Sequence, residues 1–327
     1  MPVVPEARGE VSGAVIGALG RAPGGGAVLV PGGAVRDAGP YGEDLQLALY
    51  LCYELHYRGF EGVDDAWEWD PGLLELRGHL EQKFLAALRS DVRAGPDVAS
   101  ALREVLVEPG GGEGVSHFLR DEGLLWHLRE YAALRSLYQL KEADPHAWAI
   151  PRLTGRAKAG LVAVEYDEFG AGRADRIHAE LFAALMRGLG LDPAYGRYLE
   201  AATAPMLAVV NLMSLLGLHR ALRGALAGHF AAVEIASSPS SQRLVQAIDR
   251  LGAGPAARHF YAEHVEADAV HEQVVRHEVI GGLEADAPEL AGDIAFGIGA
   301  TVRLEERLGD HILQAWKAGR SAVRRPL

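Results

Sequence analysis

The chain has 327 residues, of which 49% are hydrophobic and 23% charged, an ordinary balance for a globular protein. It carries 32 Lys and Arg against 44 Asp and Glu, a formal net charge of −12. This surplus argues against a nucleic-acid or anionic-membrane partner, because binding phosphates requires a basic surface. Cys52 is the single cysteine, which excludes an intramolecular disulfide, a zinc ribbon and a cysteine-ligated iron–sulfur cluster. Thirteen histidines beside the acidic surplus favour a metal bound by imidazole and carboxylate.

The sequence carries no pattern typical of export or of a membrane span. Its first residues lack a basic region followed by an apolar run and a small-residue cleavage site. The most apolar stretch, 204–218, contains Pro205, Asn211 and Ser214, and it is shorter than the ~20 residues needed to cross a bilayer. We therefore expect a buried core helix there, and a cytoplasmic protein.

Three segments can be distinguished along the chain. Residues 1–42, rich in Gly, Ala, Val and Pro over 11–42, are predicted to be a flexible lead-in, because this composition neither sustains a helix nor fills a core. Residues 43–140 form a predicted N-terminal helical part. Residues 141–327 form a predicted helical bundle that makes one compact unit with 43–140. The Gly-rich loop at 109–114 lacks the Gly-Lys-Ser/Thr ending of a phosphate-binding loop and is predicted to be a turn.

Helical spacing dominates from Glu43 onward, and no run of alternating strands occurs. Pro71 after Asp70 is typical of the first turn of a helix. The Ser-Pro-containing segment 237–241 predicts a break between two helices. The predicted helices after the glycine loop cover about 119–140, 156–169, 173–190, 193–218, 219–236, 240–252, 255–280 and 287–319.

The most distinctive local pattern is His264-x3-Asp268-x2-His271. At about 100° per residue, positions i, i+4 and i+7 fall within about 60° of one another on one helix face. Two imidazoles and a carboxylate at this spacing suit a metal ion. The alternative is a solvated polar face, because several other charged residues lie nearby.

A second candidate lies where glycines interrupt a helical pattern. Glu168 and His178 are ten residues apart, about 80° on an unbroken helix, but Gly170 and Gly172 could bring them together across a kink. Asp175, three residues before His178, fits a regular helix better. The spacing alone leaves Glu168 and Asp175 as alternatives.

Two further acids stand apart from these patterns. Glu234 lies among apolar residues just before the Ser-Pro segment, and Glu142 lies in Leu-Lys-Glu-Ala-Asp-Pro-His. Taken singly, either acid is typical of a surface or helix-capping position.

Taken together, these motifs resemble the haem-oxygenase-like diiron oxidases, in particular the iron-containing redox enzyme branch. That branch includes the N-oxygenating central domain of the streptozotocin-pathway N-nitrosating enzyme. The resemblance covers roughly 43–320 and is most specific over 138–275. It depends on the order and separation of Glu142-Ala-Asp-Pro-His146, Glu165-Tyr-Asp-Glu168, His178-Ala-Glu-Leu-Phe182, Glu234 and the His264–His271 motif, with Cys52–Phe60 similar to the N-terminal helix of the branch.

The resemblance implies an all-α, haem-oxygenase-like helical bundle with additional N-terminal helices. It implies two Fe(II) ions as cofactor, O2 as co-substrate, and a 255–280 helix that is partly disordered or bent before iron binds. It favours Glu168 over Asp175 and gives Glu142 and Glu234 a role. The implied iron ligands are Glu142, Glu168, His178, Glu234, His264, Asp268 and His271.

The activity that the resemblance implies most directly is O2-dependent N-oxygenation of an amine or guanidine-like small molecule in a biosynthetic pathway. The expected partners are a small-molecule substrate and an external electron donor, and a homodimer is an open alternative to a monomer. Arg152, Tyr166 and Tyr261 are candidates to line the substrate pocket, although each could equally be a packing or surface residue.

Three other functions stay open. The same iron site could cleave C–C bonds or desaturate an amino or fatty acid. A helical metal-storage protein is the non-enzyme alternative, but ferritin-like sites repeat a Glu-x-x-His pair that this chain lacks. A thiaminase-like hydrolase would use Cys52 as nucleophile, whereas the apolar stripe around Cys52 favours a buried structural thiol.

Overall fold

The computed structural model of the chain describes residues 1–92, 97–106 and 113–327, and only the backbone of 266–269. Within these ranges the regular elements are helices, and no β-strand occurs. The predicted all-α fold class is confirmed. Of the predicted turn at 109–114, residues 109–112 lie outside the described residues.

The helices before the candidate site residues are mostly short, and α4 is the longest of them. They are α1 (Glu10–Leu19), α2 (Ala34–Asp37), α3 (Glu43–Glu54), α4 (Pro71–Asp91), α5 (Val98–Leu106), α6 (Val115–Asp121) and α7 (Leu125–Gln139). As predicted, Pro71 occupies the first turn of α4, and the Asp70 side chain caps it by accepting a 3.0 Å hydrogen bond from the Leu73 N–H.

The candidate site residues lie on the second set of helices and their connections. These helices are α8 (Asp144–Ala147), α9 (Gly155–Glu168), α10 (His178–Gly188), α11 (Ala204–Leu218), α12 (Arg223–Leu251), α13 (Pro255–Val274), α14 (Gly281–Asp286) and α15 (Ala291–Lys317). A π-helical stretch, Val275–Ile280, joins α13 to α14. The backbone over 255–280 is thus helical throughout, and the π-helical stretch is where its geometry departs from an α-helix. Partial disorder or bending of this segment before iron binds stays a prediction.

The predicted flexible lead-in is wrong for residues 10–19, which form α1. Val11 and Val15 are fully buried, and α1 packs against α3. The carboxylate of Asp44 accepts hydrogen bonds from the backbone N–H groups of Val11 and Ser12, at 3.0 and 2.7 Å, and so anchors the start of α1. The prediction from composition was wrong because Val11 and Val15, one helical turn apart, give α1 a narrow apolar face that is buried although most neighbouring residues are small.

The predicted break at 237–241 is also wrong, because α12 runs through it with Pro239 inside the helix. A proline removes one helical hydrogen bond and usually bends or ends a helix. Here serine hydroxyls supply local donors: Ser237 donates to the Glu234 carbonyl at 3.2 Å, and Ser240 donates to the Ser237 carbonyl at 2.8 Å. The continuous helix keeps Glu234 on a long, rigid element.

The two longest helices, α12 and α15, cross at glycines. A Cβ on Gly228 would lie 2.0 Å from the Ile294 carbonyl oxygen, and a Cβ on Gly297 would lie 2.0 Å from the Ala225 carbonyl oxygen. Only glycine permits backbones to approach so closely. This crossing places the α12 residues that follow Gly228 against the middle of α15.

The most apolar helix, α11, is buried along almost its whole length, as predicted. Of the helices in the described ranges, none on its own is both long and apolar enough to cross a membrane. One pair, α11 with the following Arg220–Leu251 stretch, meets the criteria of length and composition jointly, with a bend of 104° between its halves.

Candidate metal centre

Three ionisable side chains from three helices meet in the interior of the bundle. Glu168 ends α9, Glu234 lies in α12, and His271 lies in α13. One ligand atom from each lies within 4.8 Å of those from the other two, and all three residues are buried. Unpaired charges are costly in such surroundings, so this grouping is typical of a site that a metal completes.

The His271 imidazole faces carboxylates on both sides. Its Nδ1 lies 3.1 Å from Glu234 Oε2 and 3.6 Å from Glu168 Oε1, while its Nε2 lies 3.4 Å from Asp167 Oδ2. Burial by itself lowers the pKa of His271, but the hydrogen bond and charge of Glu234, with the charge of Glu168, outweigh burial and raise the pKa to about 9. In the metal-free site a proton on His271 therefore partly balances the carboxylates.

Glu168, and not Asp175, contacts His178. The Nδ1 of His178 lies 2.6 Å from Glu168 Oε2, and both side chains are buried. Asp175 is exposed and pairs with Arg173 at 2.9 Å. The expectation that Glu168 and His178 converge across a kink is confirmed.

The kink depends on three successive residues in the left-handed region of backbone conformation. Their φ angles are 74° at Gly170, 52° at Ala171 and 79° at Gly172. A Cβ on Gly170 would lie 2.7 Å from the backbone carbon of Arg176, so only glycine lets the chain fold back this closely. The reversal returns the chain so that His178, the first residue of α10, meets the end of α9.

His264 lies two helical turns before His271 and presents a lone pair to the interior. Its Nδ1 lies 2.8 Å from the Phe260 carbonyl oxygen. A carbonyl can only accept, so Nδ1 carries the proton and Nε2 is the acceptor of the neutral ring. Nε2 is buried and has no hydrogen-bond partner among the described side chains and backbone. Burial lowers the pKa of His264 to about 4, which keeps this lone pair free of a proton.

The ring of His264 also lies beside that of His178, with centroids 4.6 Å apart. Glu168 lies next to His178 and His271, and all three imidazoles affect its pKa. Burial raises the pKa of Glu168, but the hydrogen bond and charge of His178, followed by the charges of His264 and His271, bring it below its usual value. The structure thus brings together five of the seven predicted ligands.

The other two predicted ligands are Glu142 and Asp268. Glu142 lies in the connection between α7 and α8, one turn after Tyr138. After burial, the charge of Glu142 is the largest cause that raises the pKa of Tyr138, and Glu234 also contributes. The carboxylates of Glu142 and Glu234 thus act on the same buried phenol. The side chain of Asp268 lies outside the described residues.

This donor set fits iron. An orphaned imidazole lone pair on His264, the buried Glu168 carboxylate and the nearby Glu234 carboxylate are the nitrogen and oxygen ligands that non-haem Fe(II) takes. The Phe260 carbonyl fixes the tautomer of His264, as second-sphere groups do for metal-bound histidines. Asp167 is placed to orient the His271 ring in the same way, because its carboxylate lies beside Nε2, the ring nitrogen that faces away from Glu168 and Glu234.

The sequence analysis missed four buried polar groups around this cluster. Each is buried and has no hydrogen-bond partner in the described part of the chain. The groups are both carboxylate oxygens of Glu165, both ring nitrogens of His146, Nε2 of His229 and the Tyr138 hydroxyl. Glu165 could have been recognised, because it lies one turn before Glu168 on the same face of α9. The others carry no local signal, since a single His or Tyr among apolar residues is usually part of the core.

The remaining sequence candidates occupy buried, helix-end or exposed positions. Cys52 is buried, and burial raises the pKa of its thiol to about 12, which removes it as a nucleophile. Arg152 donates to the Leu218 carbonyl at 3.0 Å and so closes the end of α11. Tyr166 is exposed, and Tyr261 is buried next to Phe260.

Comparison with known protein families gives a match. The profile of a family described as "iron-containing redox enzyme" matches residues 129–306, from α7 into α15, a stretch that contains all seven predicted ligands. No curated protein shows significant similarity to the chain. The match covers more than half of the sequence, and the helical structure agrees with a haem-oxygenase-like fold. The chain therefore belongs to the iron-containing redox enzyme family and is an iron-dependent oxidoreductase.

Proposed function

We propose that the protein is an O2-dependent diiron oxygenase that N-oxygenates an amine or guanidine-like small molecule. The observation that supports this most strongly is the buried cluster of Glu168, Glu234 and His271, extended by His178 and His264. With Glu142 and Asp268, four carboxylates and three imidazoles would surround two divalent ions. Four negative charges would then balance four positive ones, which makes a buried centre electrostatically tolerable.

The proposed reaction balances as R–NH2 + O2 + 2 e⁻ + 2 H⁺ → R–NHOH + H2O. Two ferrous ions, when bound, would supply the two electrons and the site at which O2 is reduced. One oxygen atom forms the new N–O bond and the other leaves as water. A second turnover then needs two further electrons, which is why an external electron donor belongs to the proposal.

The protein's own groups prepare this chemistry. The Phe260 carbonyl keeps the proton of His264 on Nδ1 and so leaves Nε2 ready to bind metal. His271 must lose its extra proton to become a ligand, and Glu234 and Asp167 are the carboxylates beside its two nitrogens. Burial keeps bulk water away from the centre, which suppresses uncoupled side reactions.

The test begins with anaerobic Fe(II) titration of the purified chain. The proposal expects two irons per chain in the wild type and a loss of iron in Glu168→Gln and His264→Ala. Asp175→Asn is the matched control, because Asp175 lies close to His178 in sequence but is exposed and paired with Arg173. No iron bound, or binding that survives His264→Ala, would overturn the proposal.

Product analysis then separates the candidate reactions. Iron-loaded protein exposed to O2 with amines or guanidines should consume O2 only when substrate is present and should yield a hydroxylamine or a further oxidised nitrogen. An alkene or aldehyde from an amino or fatty acid would support desaturation or C–C cleavage instead. Uptake of O2 without any organic substrate, together with iron retained in the protein, would support storage.

A further inference from the structure

Two buried histidines outside the predicted ligand set lie side by side in the bundle. His146 is on α8 and His229 on α12, each 1% exposed, and their ring centroids are 5.2 Å apart. We refer to them as the imidazole pair. Three of the four ring nitrogens of the imidazole pair lack a hydrogen-bond partner in the described part of the chain. Leaving such groups unsatisfied in a protein interior is costly and calls for an explanation.

The tautomer of His229 follows from its neighbours. The Thr301 hydroxyl donates its one proton to the Gly297 carbonyl at 2.8 Å. It must therefore accept in its other contact, the 2.7 Å hydrogen bond with His229 Nδ1. Nδ1 carries the ring proton, and Nε2 is left as a lone pair. Thr301 on α15 thus fixes the tautomer of His229, and the acceptor atom Nε2 lies on the side of the ring away from Thr301.

The imidazole pair stays neutral and lies near predicted iron ligands along the chain, because His229 precedes Glu234 by five residues on α12 and His146 follows Glu142 by four. Burial lowers the pKa of His146 to about 4, and burial also lowers the pKa of His229 well below its usual value. The charge of Glu168 acts on His146 and raises its pKa against the larger effect of burial. Neutral rings at this place offer acceptor lone pairs and no positive charge, which suits a ligand that donates N–H groups.

We propose that the imidazole pair is the substrate-recognition wall of the metal centre, in which His229 Nε2 and a ring nitrogen of His146 accept hydrogen bonds from the N–H groups of a bound amine or guanidine. This inference rests on the proposed function and adds to it the residues that would receive the nitrogen group. A metal at the imidazole pair is less well supported, because the cluster that meets metal-ligand spacing in the described chain is Glu168, Glu234 and His271.

The test measures binding apart from turnover. Anaerobic, iron-loaded protein is titrated with n-butylguanidine and n-butylamine, which donate N–H groups, and with butanoate, which at neutral pH can only accept. The wild type should bind the two donors and should not bind butanoate at the same concentrations. His229→Phe and His146→Phe should each weaken donor binding by about tenfold or more, as expected when a hydrogen bond to a charged group is lost.

Two further measurements separate recognition from a structural role. His229→Gln keeps an acceptor near the position of Nε2 and should restore much of the donor binding that His229→Phe loses. ¹⁵N chemical shifts of the His229 ring should report the Nδ1–H tautomer in the wild type. Thr301→Val should disturb that tautomer and weaken donor binding without changing the iron content.

The outcomes are distinct from those of the proposed function. Unchanged donor binding in both Phe variants, or no donor binding by a wild type that holds two irons, overturns the recognition wall and leaves the diiron proposal standing. Loss of an iron from either Phe variant also overturns it, because the rings would then be ligands. Failure of the wild type to bind iron overturns the proposed function by a separate measurement.

Discussion

Lys141 Nζ lies 2.6 Å from Glu54 Oε2 in the interior, where both side chains are no more than 1% exposed. The Tyr195 hydroxyl donates to the same carboxylate oxygen at 3.0 Å, and the Lys141 ammonium lies 4.2 Å from the centroid of the Tyr57 ring. Lys141 immediately precedes Glu142. This ion pair therefore ties α3, near the N-terminus, to the segment that carries a predicted iron ligand.

Breaking this pair on one side should destabilise the protein strongly. Lys141→Met leaves the Glu54 carboxylate buried without its counter-charge, which typically costs about 3–5 kcal/mol of unfolding free energy. The double variant Glu54→Gln/Lys141→Met removes both charges and should recover much of that loss. Urea unfolding measures both. Lys317→Met, in an exposed pair with Glu113, is the control and should change little.

If the double variant is as unstable as Lys141→Met, the loss comes from the packing of the Lys141 stem against aromatic rings and not from an uncompensated charge. Iron binding by the double variant is a second readout. It should be weaker than in the wild type if the pair also positions Glu142.

The crossing of α12 and α15 should tolerate no added methyl group. Gly228→Ala would place a Cβ 2.0 Å from the Ile294 carbonyl oxygen, so the helices must separate, at a cost of about 1–3 kcal/mol or more. Gly78→Ala in α4 is the matched control, because a Cβ there meets no atom within 4 Å. It should stabilise the protein by about 0.5–1 kcal/mol, since alanine favours a helix interior over glycine. Thermal and urea unfolding check both, and equal effects would contradict this account of the crossing.

Glu165 should make the metal-free protein less stable as pH rises. Burial, then the charges of Glu168 and Glu234, raises the pKa of Glu165 from 4.5 to about 9. Between pH 4.5 and pH 9 the folded state keeps a proton on Glu165 that the unfolded state has released. The stability that this proton contributes is therefore complete below pH 4.5 and is lost as the pH rises towards 9. The slope approaches about −1.4 kcal/mol per pH unit for this one group.

Glu165→Gln imitates the protonated side chain and should remove that part of the slope. Urea unfolding in the presence of a chelator, at intervals from pH 5 to pH 9, measures it for both proteins. The variant should match the wild type at the acid end and exceed its stability at the alkaline end. Parallel curves would mean that Glu165 is already ionised in the folded protein.

Sequence spacing was informative for those parts of the site whose residues lie in one short segment of the chain. The face that carries His264 and His271 follows from helical periodicity. The glycines that permit positive φ indicated a reversal that could join Glu168 to His178, but the spacing left Asp175 as an alternative, and the resemblance favoured Glu168. Glu142 and Glu234 could not be recognised in this way, because their neighbours at the site come from distant parts of the chain. The resemblance to a family supplied them.

The fold errors have a similar origin. Composition predicted a flexible segment where α1 forms, because its anchor is Asp44, more than thirty residues away. Local proline and serine signals predicted a break in α12, whereas the helix is continuous and packs extensively against α13 and α15. In each case a tertiary contact outweighs a weak local preference.

Asp167 should strengthen iron binding although it is not a predicted ligand. It is more than half exposed and lies 3.4 Å from the Nε2 of His271, opposite the nitrogen that faces Glu168 and Glu234. A carboxylate in this position fixes the orientation of a metal-bound imidazole and raises its basicity, and losing such a group typically costs about 10- to 100-fold in metal affinity. Asp167→Asn should therefore weaken anaerobic Fe(II) binding, with Asp175→Asn as an exposed control of the same chemistry.

A second effect of Asp167→Asn acts in the opposite direction. Asp167 contributes to the raised pKa of His271, so the variant holds the competing proton less tightly and gains some affinity below pH 9. Glu234 and Glu168 contribute more to that pKa and keep it raised in the variant. We therefore expect the loss of ring orientation to dominate and net binding at about pH 7.5 to fall. Tighter iron binding by Asp167→Asn would show that proton competition at His271, and not ring orientation, controls the affinity of the site.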